Sequence, residues 1–491
     1  MPTFFINMEC EMKVNLPILK AMEEYNNRNM YPLHTPGHKG GRVVHSEFLN
    51  VCDEKALRLD VSLMGEELGN LHSPSGCIAE SEQLAAKLYG VNTTHFAVNG
   101  SSGAIQAMLM GALQPGDKVL VARNMHCSTI AALLLARLEP VFLNNEYISE
   151  FAIHGQVGVE QIELALAKTP DIKGIFITSP TYYGLLADVE GIVSVAKHYQ
   201  IPVLVDEAHG AHLYFTDMLP QGALRYGVTA VVQSTHKTLS SLSQTAMLHV
   251  KDGGKIASSI KRMQNMLTTT SPNYFLLASL DAARGLMQES GAELWCRAYE
   301  MALEFREKIN NIEGLRVLEI SDIKQYGSVF ALDITKVTVN VRERGYKGTE
   351  VASYLADRGY SAELADRDNV LFLLTYAEDV SRLEELVQIL RALPPREAIA
   401  CKILPEYRLP KCEMSIAQAY YADAEMVLIN DAVGRISAET VTFYPPGIPC
   451  LLPGEVLSEQ GLQYFQQMIK LGITVNGCKD RSLQFINVVK E

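Results

Sequence analysis

Nothing in this sequence pairs its cysteines. Nine are scattered over 491 residues, with no CxxC and no metal-ligand spacing. That excludes a disulfide framework and predicts reduced, space-filling thiols in a cytoplasmic protein. A basic surplus is missing too. Lys and Arg number 43 against 56 Asp and Glu, and the net charge is -13. Nucleic acid is therefore not expected as a partner, because phosphate binding needs a basic face. No apolar run approaches the ~20 residues that span a bilayer, so no membrane helix is expected. The opening "MPTFFINMECEMK" lacks the basic-then-apolar layout of a secretory leader. Internal repeats and low-complexity tracts are absent. What remains is a chain that is 48% hydrophobic and 20% charged, enough for two or three domains with sizeable cores.

The organisation follows from periodicity. Pro17 stands in the opening turn of an expected helix, "LPILKAMEEYNNR", where its missing N–H costs nothing. From about residue 80, short apolar runs alternate with helical periods: "THFAVNG", "DKVLVA", "IKGIFITSP", "IPVLVDEAHG" and "TAVVQSTHK" are the runs. Such alternation predicts parallel βαβ units covered on both faces. After about residue 290 the pattern changes. "LRVLEI", "VFALDIT" and "VLFLLTY" read as strands among helices, a smaller α+β unit. A Pro-rich connection, "LPPREAIACKILPEYRLPK", leads to a last stretch with one helix, "LSEQGLQYFQQMIKLG". The expected division is a helical segment 1–30, a large unit 31–290, a small unit 291–400 and a C-terminal unit 401–491.

The polar clusters fall at the carboxyl ends of the expected strands, where open parallel sheets bind ligands. "NGSSGA" puts Ser101, Ser102 and Gly103 at a helix start. Free N–H groups and two hydroxyls there suit a phosphate, and they read as well as a plain N-cap. "RNMHCS" places His126 past the next strand, either as a lid over a ligand ring or as a loop histidine. "VDEAHGAH" ends an apolar strand on Asp206, whose carboxylate must be paired or must meet a cation. An N-cap or a metal ligand are the alternatives, and His209 and His212 imitate a ligand cluster without a recognisable second shell. "STHKTLSSLSQ" sets Lys237 past another apolar run, as a solvated loop charge or a nucleophile. Together, a phosphate cup, a stacking imidazole, an acid for a pyridine nitrogen and a lysine for an aldehyde are what pyridoxal 5'-phosphate needs. Lys237 must then be partly neutral, which a semi-buried, cation-flanked setting favours.

These stretches, with "HTPGHKGG", "TSPTYYG" and the late "RISAETVTFYPPGIPCLLPGE", resemble the Orn/Lys/Arg decarboxylases over nearly the whole chain and in the family's order. The resemblance implies an α/β fold, the fold type I (aspartate-aminotransferase-like) architecture of pyridoxal-phosphate enzymes. This has a large domain with a mostly parallel sheet, a smaller α+β domain and a C-terminal decarboxylase domain, in a compact form without an N-terminal receiver-like domain. It implies decarboxylation of lysine, arginine or ornithine to cadaverine, agmatine or putrescine. It assigns the covalent link to Lys237, the pyridine nitrogen to Asp206 and ring stacking to His126. The phosphate falls to Ser101, Ser102, Ser234 and His236, and a place beside ring and substrate to His209. Thr178 or Ser179 touches the ring hydroxyl, and "HTPGHKGG" lies near a homodimer interface. A basic substrate needs an acidic pocket end, for which Glu363 and Asp366 in "SAELADRD" are candidates; a solvated acidic loop reads as well. Cys127 and Phe443 depart from the family pattern, where lysine and proline are common. An aminotransferase or aldolase on the same fold is the alternative. A non-catalytic regulator would carry a basic module ahead of the fold, and the residues before "HTPGHKGG" are not basic.

Overall fold

The computed structural model describes residues 14–61, 68–251, 253–400, 407–445 and 447–490. Its centre is a 7-stranded sheet. The spatial order is Thr93–Ala97, Ala246–Val250, Ala230–Gln233, Val203–Asp206, Ile172–Thr178, Lys118–Ala122, Glu139–Leu143. The strands are short, rich in Val, Ile and Ala, and mostly buried on both faces, as parallel strands must be. Ala246–Val250 alone runs against its neighbours. Sequence reading missed this strand. It returns directly after the Lys237 loop, without the intervening helix that marked the others.

Helices cover both faces. Gly100–Ala112, Cys127–Ala136 and Lys255–Leu267 pack on one side, through Ile105, Met108, Leu133 and Ile260. Gly76–Tyr89, Val159–Lys168 and Val189–Tyr199 pack on the other, through Ile78, Ile162 and Ile192. The helix Tyr274–Asn310 runs unbroken for 37 residues. The pattern change near residue 290 therefore falls inside one rod. Its glycines are points of close approach: a Cβ on Gly285 would stand 2.3 Å from Leu16 Cδ2.

The 4-stranded sheet beyond it is antiparallel, in the order Arg316–Val317, Lys336–Asn340, Asn369–Leu373, Leu364–Ala365. Here the sequence reading needs correction. "VFALDIT" supplies only Ala331–Leu332, which pairs back onto Leu185–Leu186. The inner strand is "KVTVN", disguised by a leading lysine and two polar residues, yet buried throughout. "LRVLEI" gives a two-residue strand, then a helix Ile320–Ile323 closed by a Glu319/Asp322 capping box. The C-terminal stretch holds more than the one expected helix, Glu459–Lys470. Ala424–Leu428 pairs with Phe485–Val489, and a 3-stranded sheet joins Ile448–Leu451, Val441–Tyr444 and Thr474–Asn476. Part of the Pro-rich connection, 401–406, lies outside the described residues.

Candidate active site

All strands of the large sheet except Ala246–Val250 point their carboxyl ends to one edge, and the expected site residues meet there. Gly100, at φ +69, turns the chain from strand into helix. The helix it opens has no side-chain cap; Gly100 N donates to the Gln244 carbonyl at 2.9 Å, and the N–H groups of Ser101 and Ser102 are placed to meet a ligand. Ser101 Oγ stands 2.7 Å from Ser234 Oγ, which arrives from the end of Ala230–Gln233. Ser102 is half-buried beside them. His236 donates from Nδ1 to the Thr245 carbonyl at 2.7 Å, which fixes its ring.

Lys237 sits in the turn Thr235–Thr238, half-buried. Its Nζ lies 3.1 Å from His209 Nε2. Burial lowers the lysine from its ordinary value, against the pull of Asp206 and Glu363. Burial also holds His209 well below the usual imidazole range, aided by the cations of Lys237 and Lys336. His209 is therefore the neutral acceptor and Lys237 the donor. The ring of Tyr182 lies 4.3 Å from that of His209, and Lys237 Nζ is 5.8 Å from the Tyr182 centroid.

Asp206 ends its strand at 2% exposure. It accepts one hydrogen bond among the described residues, from Ala208 N at 3.1 Å. Burial raises it, and Lys237 and His126 oppose the rise. A buried carboxylate with one donor is set for a cation. His126 caps the helix Cys127–Ala136, with Nδ1 accepting from Ser128 N at 3.2 Å. Cys127 Sγ is 3.6 Å from His126 Nε2; the contact lifts the imidazole and lowers the thiol.

One cavity gathers Ser101, His126, Thr178, Asp206, His209 and Lys237. Thr178 and Ser179 differ in their surroundings. Thr178 lines the cavity, and its buried Oγ1 has no partner among the described residues. Ser179 Oγ accepts from Ala187 N at 3.1 Å and serves the backbone. Sequence reasoning missed Asn124, His154 and Tyr182 as cavity residues. Tyr182 was within reach, since it lies in "TSPTYYG" after a strand end.

The two acids of "SAELADRD" part company. Asp366 is not a solvated loop charge. It accepts from Tyr183 Oη at 2.8 Å, Asn369 Nδ2 and the backbone of Asp368 and Asn369. It lines a neighbouring cavity, not the one holding Lys237. Glu363 is exposed and acts electrostatically on Tyr182 and Lys237. Phe443 also lines the neighbouring cavity. His212 Nε2 meets Asp333 Oδ2 at 3.0 Å, both fully buried, and the described residues hold no group of three or more His, Cys, Asp or Glu placed for a metal.

The "YPPGIP" stretch reaches the same cavity through Gly447 and Ile448. It is held there by Arg123, just past the strand Lys118–Ala122. The guanidinium forks onto Glu455 at 2.6 and 2.8 Å and donates from Nε to the Pro449 carbonyl at 2.8 Å.

The profile described as Orn/Lys/Arg decarboxylase, major domain, matches residues 16–382, and that of the C-terminal domain matches 400–479. The chain belongs to the Orn/Lys/Arg decarboxylase family. The arginine decarboxylase of Bacillus subtilis (strain 168) is 35% identical, over 97% of this chain and 98% of that relative. A lysine decarboxylase of Pseudomonas aeruginosa is 27% identical over 90% of this chain and 74% of that relative. The structure of the Escherichia coli constitutive lysine decarboxylase matches with TM-score 0.84 at 24% identity, covering 97% of this chain and 82% of that one. The fold is fold type I of the pyridoxal-phosphate enzymes, and this family member is a pyridoxal-phosphate-dependent carboxy-lyase for a basic amino acid. The residues present fit that cofactor. They offer an uncapped helix N-terminus with paired hydroxyls, a buried under-donated carboxylate, an orphaned Thr178 hydroxyl and a half-buried lysine.

Proposed function

We propose that this decarboxylase converts arginine to agmatine and carbon dioxide. The observation that carries the site reading is the Lys237 Nζ–His209 Nε2 contact of 3.1 Å, in the cavity that also holds Asp206. The choice of arginine leans on the relative at 35% identity, an arginine decarboxylase. When bound, the cofactor supplies the sink for the electron pair released by the departing carboxyl group.

The chain's own residues do the rest. Lys237 would hold the cofactor through its aldehyde. Asp206 keeps the pyridine nitrogen protonated from a buried, under-donated position. His126 covers one face of the ring. Ser101, Ser102, Ser234, His236 and the helix N–H groups hold the phosphate. Thr178 meets the ring hydroxyl. His209 accepts the N–H of Lys237 and fixes where it sits. Glu363, exposed and within electrostatic reach of Lys237, receives the distal cation of the substrate.

The protein works in this reading as a cytoplasmic homodimer. The described cysteines are free, and Tyr31, Leu33, Val43, Phe48 and Val51, in and around "HTPGHKGG", expose apolar side chains that a second copy would cover. The division at residues 30, 290 and 400 is part of the proposal, although residue 290 lies within the helix Tyr274–Asn310.

The test is direct. Purified protein with added cofactor is given arginine, lysine and ornithine separately, with carbon dioxide and amine assayed. Agmatine from arginine, lost by more than about a thousandfold in Lys237→Ala, is expected. Cadaverine or putrescine instead would move the substrate; keto-acid without carbon dioxide would sink the decarboxylase site reading.

A further inference from the structure

Next to Asp206 the chain carries a second acid that the reading above leaves unused. Glu207 follows the strand Val203–Asp206 and is 1% exposed. Three neutral groups donate to it. Ala223 N reaches Oε1 at 2.6 Å, and Tyr214 Oη and Gln233 Nε2 reach Oε2 at 2.6 and 2.7 Å. Each donor is itself fixed. Tyr214 Oη accepts from Leu224 N at 3.1 Å, which leaves its own hydrogen for the carboxylate. A carboxylate only accepts, so Gln233 turns its N–H towards Glu207 and its Oε1 towards His249 Nε2, 3.1 Å away. His249 then donates from Nε2 and accepts at Nδ1 from Thr94 Oγ1, at 2.8 Å. The chain runs one way across four neighbouring strands and ends on the acid.

This acid joins the two stretches that carry the site. Glu207 adjoins Asp206 and leads to His209; Gln233 adjoins Ser234 and leads to Lys237. The two strands lie side by side, and Glu207 N donates to the Val232 carbonyl at 2.9 Å. The Glu207–Gln233 bond crosses between them where they end. Glu207 also pins the loop that carries His209. Gly210 N donates to the Glu207 carbonyl at 2.9 Å where the loop starts, Tyr214 meets the carboxylate midway, and Ala223 N meets it at the close. Glycine is needed at two of these contacts. A Cβ on Gly210 would stand 2.7 Å from Glu207 Cγ and 2.8 Å from Pro180 Cδ, and one on Gly222 would run into the Tyr214 ring. The 3.1 Å approach of His209 to Lys237 is thus made from a loop tied at both ends to one residue. A carboxylate buried among neutral donors is costly, and an apolar side chain would pack there at lower cost.

We propose that Glu207 is a positioning residue for the decarboxylation: through Gln233 and the loop 208–223 it fixes how far Asp206 and His209 stand from Ser234 and Lys237, so that one rigid cofactor reaches its nitrogen, aldehyde and phosphate anchors together. Glu207 does not line the cavity. It acts through the groups that donate to it. A ligand that meets a single anchor is indifferent to the separation, whereas one that spans them loses affinity when the separation drifts.

The proposal rests on Asp206, Ser234 and Lys237 being the cofactor anchors. The test titrates the full chain, freed of cofactor, with pyridoxal phosphate and follows absorbance. Inorganic phosphate serves as a competitor that meets the phosphate anchor alone. Glu207→Gln and Gln233→Met each cut the bridge. In either variant the Kd for pyridoxal phosphate should rise about tenfold, the scale of one hydrogen bond to a charged group. The inhibition constant of phosphate should move by less than about twofold. Glu207→Gln combined with Gln233→Glu exchanges acid and amide across the bridge and should recover most of the lost affinity. Thermal melting identifies the variants that are folded, and one folded single variant suffices. An unchanged Kd in that variant overturns the proposal and leaves the site reading standing. So do phosphate and pyridoxal phosphate weakening together, since that marks general disruption of the fold. A covalent pyridoxal phosphate adduct that survives Lys237→Ala overturns the site reading and the proposal with it.

Discussion

A buried ion pair, Arg123–Glu455, and a buried histidine–carboxylate hydrogen bond, His212–Asp333, lie on separate walls of this site, and they are built on opposite plans. Arg123–Glu455 is complete. The fork is bidentate, Arg123 Nε reaches the Pro449 carbonyl, Leu452 N donates to Glu455 Oε2 at 2.8 Å, and Phe142 lies 4.6 Å under the guanidinium. His212–Asp333 is equally buried, but the cation beside it, Lys336, has no hydrogen-bond partner among the described residues. The complete pair recovers its desolvation cost through geometry. It fastens the C-terminal stretch so that Gly447 and Ile448 close the cavity. The other cluster keeps a buried ammonium with no hydrogen-bond partner among the described residues, its charge met electrostatically by the Asp333 carboxylate. The difference separates a clamp from a buried charge that costs stability.

The clamp is the easier to break. Glu455→Leu strands a buried guanidinium and should cost about 3–5 kcal/mol in urea unfolding, while the double change Arg123→Met with Glu455→Leu should return most of it. A cost of the surface-pair size, under about 1 kcal/mol, would erase the distinction drawn here. Lys336 predicts the opposite sign. Its folded value of about 8 lies below the ordinary 10.5. The folded state therefore binds this proton less readily than the unfolded chain. Stability carries the full penalty below pH 8 and regains it as the pH rises from 8 towards 10.5. Lys336→Met should accordingly be about 1–3 kcal/mol more stable than the unmodified protein at neutral pH, with the gap closing at alkaline pH. Unfolding curves at both pH values check this; a variant less stable at neutral pH would make Lys336 a structural member like Arg123.

The clamp and the buried lysine also differ from the sheet-edge residues in how far a sequence announces them. Lys237, Asp206, Ser101 and His126 each follow a strand that periodicity reveals, so their convergence at one sheet edge could be read in advance. The Arg123–Glu455 pair spans more than three hundred residues of sequence, and no local pattern links its members. Lys336 is hidden for a different reason. Lysine is normally an exposed residue, and here it broke the apolar signal of its own strand. The fold class was legible because parallel strands are uniformly apolar. The small sheet and the C-terminal sheets were only partly legible because their strands are short, mixed or antiparallel.

The mildest test lies where two neighbouring acids looked alike in sequence. Asp366 accepts hydrogen bonds from a tyrosine, an asparagine and two backbone groups, and burial raises it from its usual range. Glu363 is exposed and acts electrostatically on Tyr182 and Lys237. Removing charge from the first should unsettle the turn at a cost of about 1–2 kcal/mol and leave substrate affinity in place. Removing it from the second should leave stability in place and raise KM for a basic amino acid about fivefold, the scale of a solvent-facing ion pair. Glu363→Gln and Asp366→Asn, each measured for both KM and urea midpoint, give a crossed pattern if the acids divide the work this way. If KM rises in Asp366→Asn instead, the distal cation enters the neighbouring cavity, and the C-terminal stretch that Arg123 fastens becomes part of the substrate pocket.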